Sequence, residues 1–297
     1  SVLHSYLARI NYGFDDRYLF TLTARADGSS RFGKNNKWGT FPSAAFAWNV
    51  SNESFLKDIE QISSLKLRLS AGLTGNQEIN PYQSVARLSY YPYVFANTLV
   101  TGFAPSSFEN SDLGWETTTQ YNLGLDLSLF NNRINLTGDI YYKKTDDLLL
   151  EVPIPYTSGL ESAFQNLGSV ENKGIELGLK TLNFVGDFEW SSNLIFSANR
   201  NKVLSLGNGI DFFIPVNPAT STTPSGIVKV GQPLGSFYMY KYDGLFQAGD
   251  DFTNSPIANT KAGTQKFKDI NGDGKITQDG DRTVVGNSEP LFLASLT

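Results

Sequence analysis

A short run of oxygen-bearing residues near the C-terminus has the spacing of a calcium loop. Ca²⁺ prefers several hard oxygen ligands, and Gly274 permits the sharp turn that such a loop needs. The candidate ligands are Asp269, Asn271, Asp273, Lys275 through its backbone carbonyl, and Asp281. Position twelve of the loop is Gly280 instead of an acid, so Asp281 would close the site after a one-residue bulge. Two interpretations stay open: a Ca²⁺ site that stiffens a long loop, and a solvated Gly/Asp-rich turn.

Residues for enzymatic chemistry are scarce. The chain has one histidine, His4, and no cysteine, so a Cys-His pair is absent and a Ser-His-acid site would depend on that one residue. The acidic pairs at 146–147 and 250–251 lie beside expected turns, where Asp caps or solvates the backbone. We therefore predict that the chain is not an enzyme, with no catalytic residue and no cofactor beyond the candidate Ca²⁺.

Composition narrows the class of protein. A net charge of -5 over 297 residues argues against nucleic acid as a partner, because phosphate binding needs a basic face. No run of about 18 apolar residues is present, which excludes a transmembrane helix. Membrane-spanning strands are still allowed, since they present apolar side chains at every second position only. The pattern along the chain therefore has to decide.

The clearest pattern is an alternation over residues 121–130 that resumes with the other parity after Asn131-Asn132. Apolar residues at every second position alternate with polar ones, which predicts a strand with two chemically opposite faces. The apolar set is Leu123, Leu125, Leu127, Leu129, Ile134 and Leu136. A two-residue turn at Asn131-Asn132 would pair Leu129 with Ile134 and keep one face of the hairpin apolar. The same alternation recurs at 6–14, 18–26, 65–73, 175–179 and 190–198.

The connections between these strands alternate between short and long. Short turns are expected at 15–16, 131–132 and 185–186, whereas long segments cover 27–39, 75–116, 147–171 and 201–290. Outer-membrane barrels have short periplasmic turns and long extracellular loops on strands of about 9 to 11 residues. We predict an all-β fold, an antiparallel transmembrane β-barrel. A soluble β-sandwich is the alternative, although its strands are typically about 5 to 6 residues long.

Several strings, in the order in which they occur, resemble the SusC/RagA family of TonB-linked outer-membrane proteins. They include RADGSSRFG at 25–33, NKGIE at 172–176, GQPLG at 231–235 and DINGDG at 269–274. The resemblance implies a large TonB-dependent receptor barrel of about 22 strands. Residues 1–297 would then be part of this one domain, without its signal peptide, TonB box, plug and final strands. Residues 201–290 would form a long extracellular loop region that carries the calcium-loop-like motif.

By resemblance, the protein imports oligomeric nutrients across the bacterial outer membrane, glycans in the first place and peptides as the other option. The expected partners are a SusD-like lipoprotein lid, TonB-ExbB-ExbD acting through the missing N-terminal part, and the lipid bilayer. Residues expected to face the lumen are Asn122, Asp126, Asn135, Thr137, Asp139 and Glu176. Aromatic residues of the long segments could contact substrate or a lid protein. These are Tyr90, Tyr91, Tyr93, Phe212 and Phe213.

Two other functions fit the pattern. One is a secreted, soluble, β-rich glycan hydrolase with a calcium loop, which would need two carboxylates across a cleft and a packed core on the face assigned to lipid. The other is a structural outer-membrane barrel without transport. A plug and TonB box in the full-length protein would separate the transporter from the structural barrel.

Overall fold

The chain folds almost entirely into β-strands. The computed structural model describes residues 1–160, 162–207, 212–214 and 225–297. Two compact units are present, Ser1–Arg200 with Leu291–Thr297, and Asn201–Pro290. The strands are β1 (Leu3–Phe14), β2 (Tyr18–Ser29), β3 (Trp38–Asn49), β4 (Ile62–Asn76), β5 (Arg87–Phe95), β6 (Thr98–Ser107), β7 (Glu116–Leu129), β8 (Ile134–Asp146), β9 (Leu149–Pro153), β10 (Ser162–Asn166), β11 (Ser169–Phe184), β12 (Trp190–Ser205), β13 (Phe212–Ile214), β14 (Gly226–Val228), β15 (Ser236–Tyr240), β16 (Tyr242–Leu245), β17 (Gln265–Phe267), β18 (Arg282–Asn287) and β19 (Leu293–Leu296). Short 3-10 turns lie at Val50–Asn52 and Tyr156–Ser158.

The first unit is built on a nine-stranded sheet in the order β1-β2-β3-β4-β7-β8-β11-β12-β19. Its seven long strands from β1 to β11 pair antiparallel with their neighbours, and β19 pairs antiparallel with β12. The predicted antiparallel all-β fold is confirmed. Strands exceed the predicted lengths, because pairing continues where alternation is interrupted. β11, for example, already pairs at Ser169 with Asp146 of β8.

Two of the short connections have backbone angles that match the twist of the strands, although the first spans three residues, because Phe14 pairs with Tyr18. Asp15 and Asp16 have φ of 53° and 49°, and Asn131 and Asn132 have φ of 56° and 63°. Positive φ at both central positions is typical of the type I′ turn, which Asn and Asp tolerate well. The predicted pairing of Leu129 with Ile134 is present. The 185–186 turn is longer than predicted, since β11 and β12 are separated by residues 185–189.

The long connections of the first unit contain structure of their own. The β4–β7 connection contains the β5–β6 hairpin, and the β8–β11 connection contains the β9–β10 hairpin. Phe32 of the β2–β3 connection forms a buried hydrophobic cluster with Ile79 and Leu113, which both lie in the β4–β7 connection. Trp115, Leu149 and Phe164 pack against it. We call this cluster and the segments that carry it the loop core, and it ties the long connections to one another.

The second unit contains a four-stranded sheet in the order β13-β14-β15-β18 and a β16–β17 hairpin. Its buried apolar side chains include Val203, Leu206, Ile227 and Phe246. Its six described strands, β13 to β18, have six residues or fewer and three of them have three, so backbone pairing is short and turns dominate. Across both units, the described residues include no helix that is long and apolar enough to span a membrane.

Candidate functional site

One face of the nine-stranded sheet is apolar and exposed. The register places Leu69 and Ile140 on either side of Leu123, so that three neighbouring strands present aliphatic side chains together. Leu123 is 48% exposed and Ile140 is 55% exposed. A contiguous apolar surface of this extent is unfavourable in water, and a hydrocarbon environment removes that cost. The other residues predicted to face lipid share this face, and they are Leu125, Leu127, Leu129, Ile134 and Leu136.

The opposite face is polar. Strand register brings the six residues predicted to line a lumen onto it, and those residues are Asn122, Asp126, Asn135, Thr137, Asp139 and Glu176. Several make cross-strand hydrogen bonds there, as between the Ser128 hydroxyl and Asn135 at 2.8 Å. Whether this face lines a passage stays a prediction.

An ion-pair network occupies the middle of the polar face. The Arg68 guanidinium of β4 donates two hydrogen bonds to Asp126 of β7, both of 2.9 Å, and two to Asp139 of β8, both of 3.0 Å. The Asn122 side-chain amide donates to the same Asp139 carboxylate at 2.9 Å. Bidentate charge-assisted bonds of this kind are short and directional. The network therefore joins three strands of the sheet.

A glycine makes this network possible. Gly124 pairs with Arg68 across the strands and with Asp139 on the other side. A Cβ atom at position 124 would lie 2.5 Å from the guanidinium carbon. Glycine therefore lets the arginine side chain lie flat across β7 and reach Asp139 two strands away. Arg68 is not among the residues predicted to line the lumen, although its place in the alternating 65–73 segment assigns it to the polar face.

A second cluster lies at the short-turn end of the sheet. The Glu53 carboxylate, in the β3–β4 connection, accepts hydrogen bonds from the Tyr18 hydroxyl at 2.7 Å, the Trp48 indole N–H at 3.0 Å and Arg17 at 3.0 Å. Its side chain is buried, and the hydrogen bonds from Tyr18 and Trp48 lower the pKa of Glu53. Tyr18 and Trp48 stack with their rings 6.3 Å apart. The arrangement fixes the connection against the apolar face.

The aromatic residues predicted from the long segments are only partly described. Tyr90, Tyr91 and Tyr93 lie on β5, within a hairpin rather than an irregular loop, and all three are more than half exposed. Tyr91 and Tyr93 share one face of the hairpin and Tyr90 lies on the other. Phe212 and Phe213 lie in β13, but their side chains are outside the described part of the chain.

The calcium-loop motif forms a tight turn with its oxygen atoms turned onto its own backbone. The Asp269 carboxylate accepts the N–H groups of Gly272 and Gly274 at 2.7 and 2.8 Å, and Asp273 accepts that of Lys275 at 2.8 Å. Both glycines have positive φ, of 76° and 80°, which glycine adopts without strain.

Asp281 closes this turn from within. Its carboxylate is fully buried and accepts the N–H groups of Thr277 at 2.7 Å and Ile270 at 2.8 Å. These backbone hydrogen bonds lower the pKa of Asp281. In the described ranges, no group of three or more His, Cys, Asp or Glu side chains is arranged to hold a metal ion. The geometry fits a turn whose carboxylates accept hydrogen bonds from its own backbone N–H groups, and the Ca²⁺ site stays a prediction.

Comparison with known proteins identifies the family. The model of the TonB dependent receptor-like β-barrel matches residues 4–281. The chain belongs to this family. Its members are outer-membrane receptors and transporters, not enzymes. The recognised resemblance to the SusC/RagA type is confirmed.

Curated relatives match nearly the whole chain. TonB-dependent receptor P3 of Formosa agariphila is 42% identical over 98% of this chain and 29% of its own length. TonB-dependent receptor SusC of Bacteroides thetaiotaomicron is 39% identical over 100% of this chain and 29% of its own length. A solved structure of the RagAB peptide transporter superimposes with a TM-score of 0.79 at 30% identity, over 99% of this chain and 31% of that one. The chain thus spans about three tenths of these relatives.

Proposed function

We propose that this chain forms part of the wall of an importer that carries oligomeric nutrients across the bacterial outer membrane, with energy delivered through TonB. One observation carries the proposal: a sheet of strands up to 16 residues long with an exposed apolar face and a polar face. Such a sheet has no stable place in water alone, whereas a barrel wall between lipid and an aqueous lumen satisfies both faces. The apolar face meets the bilayer and the Arg68 network lies on the lumen side.

Glycans are the proposed cargo, with peptides as the alternative. A glycan offers many hydroxyl groups, which suit a polar face rich in amide, hydroxyl and paired carboxylate groups. The similarity to SusC and to the RagAB peptide transporter supports oligomer import in general and leaves both cargo classes for experiment. A SusD-like lipoprotein is the proposed lid over the long-connection side, and TonB-ExbB-ExbD the proposed source of energy.

Uptake by cells tests this proposal. A strain lacking the full-length gene is complemented with the wild-type protein, and accumulation of labelled oligosaccharides and labelled peptides is measured. We expect wild-type complementation to restore oligosaccharide uptake, and removal of TonB to abolish it. Restored peptide uptake alone would change the cargo class. Restored uptake that persists without TonB would refute the energised importer, and no uptake of either cargo would favour a structural barrel.

We also propose that the loop at 269–281 binds Ca²⁺ with the weak affinity of extracellular sites, about 10⁻⁴ to 10⁻³ M. Support comes from the order of Asp269, Asn271 and Asp273 and from the two glycines at positive φ. Calorimetric titration of the full-length protein with CaCl₂ is the test. Asp273→Asn should weaken binding at least tenfold. The matched control Asp187→Asn, at an exposed residue of the β11–β12 connection, should not. Equal binding heats from the wild type and both variants would show that any bound Ca²⁺ lies outside the 269–281 loop.

A further inference from the structure

The β5–β6 hairpin carries large apolar side chains on both of its faces. Register pairs Tyr90 with Phe103 on one face and Tyr93 with Val100 on the other. No charged residue occurs between Arg87 and Glu109. Eight large apolar or aromatic side chains of the hairpin are between 55% and 69% exposed, and they are Leu88, Tyr90, Tyr91, Tyr93, Val94, Phe95, Leu99 and Phe103.

This surface is large enough for a stable interface. An aromatic side chain offers about 150–250 Å² for burial, so eight side chains exposed by more than half present on the order of 800 Å². A standard protein interface buries about 800 Å² per partner. Exposed apolar patches beyond a few hundred Å² mark interaction sites.

The hairpin is held firmly at its base. The Arg87 guanidinium donates to the Ser107 hydroxyl at 3.1 Å and to the Gln83 side chain at 2.8 Å, and the Ser107 hydroxyl donates to the Val85 carbonyl at 3.0 Å. The backbone N–H of Asn110 donates to the carbonyl of Ser84, which is buried. A ribbon fixed in this way loses little conformational entropy when a partner covers it.

Lipid does not fit as the cover. β5 and β6 form a two-stranded sheet, so each strand has an outer edge with backbone groups outside that pairing. An open edge in hydrocarbon costs several kcal/mol for each unsatisfied group, which is why membrane-spanning sheets close. A polypeptide, by contrast, can pair with these edges while its side chains cover the faces.

A second copy of the hairpin does not fit either. Two ribbons that stack through one face each leave the opposite faces in water, and Tyr90 and Tyr91 point to opposite faces. Only a cleft with two walls covers both. The walls of that cleft must also be uncharged. The ribbon has no charged side chain between 88 and 108, so a charge buried against it would have no partner.

We propose that the β5–β6 hairpin inserts into an apolar, uncharged cleft of the lipoprotein lid, one β-ribbon wide. The inference rests on the proposed function, because the lipoprotein lid is itself part of that proposal. It assigns the hairpin, which lies in the long β4–β7 connection, as the element that attaches the lid to the barrel. Tyr90 and Tyr91 then serve attachment and not cargo binding.

Photo-crosslinking from the two faces tests the insertion. A benzophenone amino acid replaces Tyr90 or Tyr91 in the full-length protein, with Phe55, an exposed aromatic residue of the β3–β4 connection, as the matched control. In intact outer membranes, positions 90 and 91 should both crosslink to the lipoprotein and position 55 should not. Products with lipid, with a second copy or with the same chain would overturn the insertion, as would lipoprotein products from one face only.

Copurification separates failure of this inference from failure of the proposed function. The double variant Tyr91→Ser, Leu99→Ser should lower the lipoprotein recovered with the full-length protein at least tenfold, and Phe55→Ser should leave it unchanged. Absence of the lipoprotein from the wild-type preparation would refute the lid itself. Equal recovery with wild type and double variant would refute the hairpin as its attachment and leave the lid in place.

Discussion

Leu113→Ala should loosen the loop core as a unit. Leu113 is fully buried in a cluster with Phe32 and Ile79, and truncation removes apolar contact and leaves a cavity. Leu→Ala in a buried site costs about 2–5 kcal/mol. The cluster is small and bounded by connections that can relax, so we expect about 3 kcal/mol. Because every 1.4 kcal/mol is a factor of ten, amide exchange governed by opening of the loop core should accelerate about 100-fold.

Hydrogen–deuterium exchange of the full-length protein in detergent measures this effect. The backbone N–H of Gly33 donates to the Leu113 carbonyl at 2.9 Å, and the Asn166 side chain donates to the Gly114 carbonyl at 2.9 Å. Peptides covering 31–36 and 110–115 should therefore exchange faster together. Leu99→Ala, at a residue that is 67% exposed, is the control and should change neither. Acceleration confined to 110–115 would refute a cooperative loop core.

Three further outcomes are expected. Gly124→Leu should displace the Arg68 side chain and weaken the β4–β7–β8 network by about 1 kcal/mol, seen as roughly fivefold faster exchange at 66–70, whereas unchanged exchange would place the guanidinium elsewhere. Folding lowers the pKa of Glu53, so the Glu53 carboxylate contributes its full stabilisation to the folded protein at any pH above its pKa in the unfolded chain. That contribution is lost as the pH falls through the pKa that Glu53 has in the folded protein. In the Glu53→Gln variant, the unfolding temperature should therefore no longer fall at acidic pH through this group. An equal fall in the variant and the wild type would contradict the stabilising role of Glu53. The pKa of Asp281 is lowered too, so Asp281→Asn should open the 269–281 turn to proteolysis at neutral pH, and equal cleavage would refute its buried role.

Local periodicity was sufficient for the central hairpin. Apolar and polar residues alternate on both sides of Asn131-Asn132, which tolerates the positive φ of a type I′ turn, so strands, turn and register followed from neighbouring residues. The assignment of the two faces followed from the same alternation. The family followed from strings of residues spread along the chain, and the comparisons confirmed it.

Features that depend on distant pairing were not predictable in this way. The Arg68 network needs the register between β4 and β7, which are separated along the chain by the whole β5–β6 segment. The loop core unites residues 32, 79 and 113, which no local pattern connects. Both faces of the β5–β6 hairpin are apolar, so alternation, the signal that reveals a half-buried strand, is absent, and the sequence predicts only a long segment over 75–116.

The saturation of Arg68 has a kinetic consequence for the proposed transport. Four of the five N–H donors of its guanidinium are already bonded to Asp126 and Asp139. A passing oligomer finds one remaining N–H donor on this arginine and can recruit more only by breaking those bonds, so the wall holds the oligomer weakly. Rapid permeation requires sites that release as readily as they bind. The Arg68 charge, neutralised by two carboxylates, therefore holds three strands together without binding the cargo tightly. A transporter with a high rate of passage needs this combination.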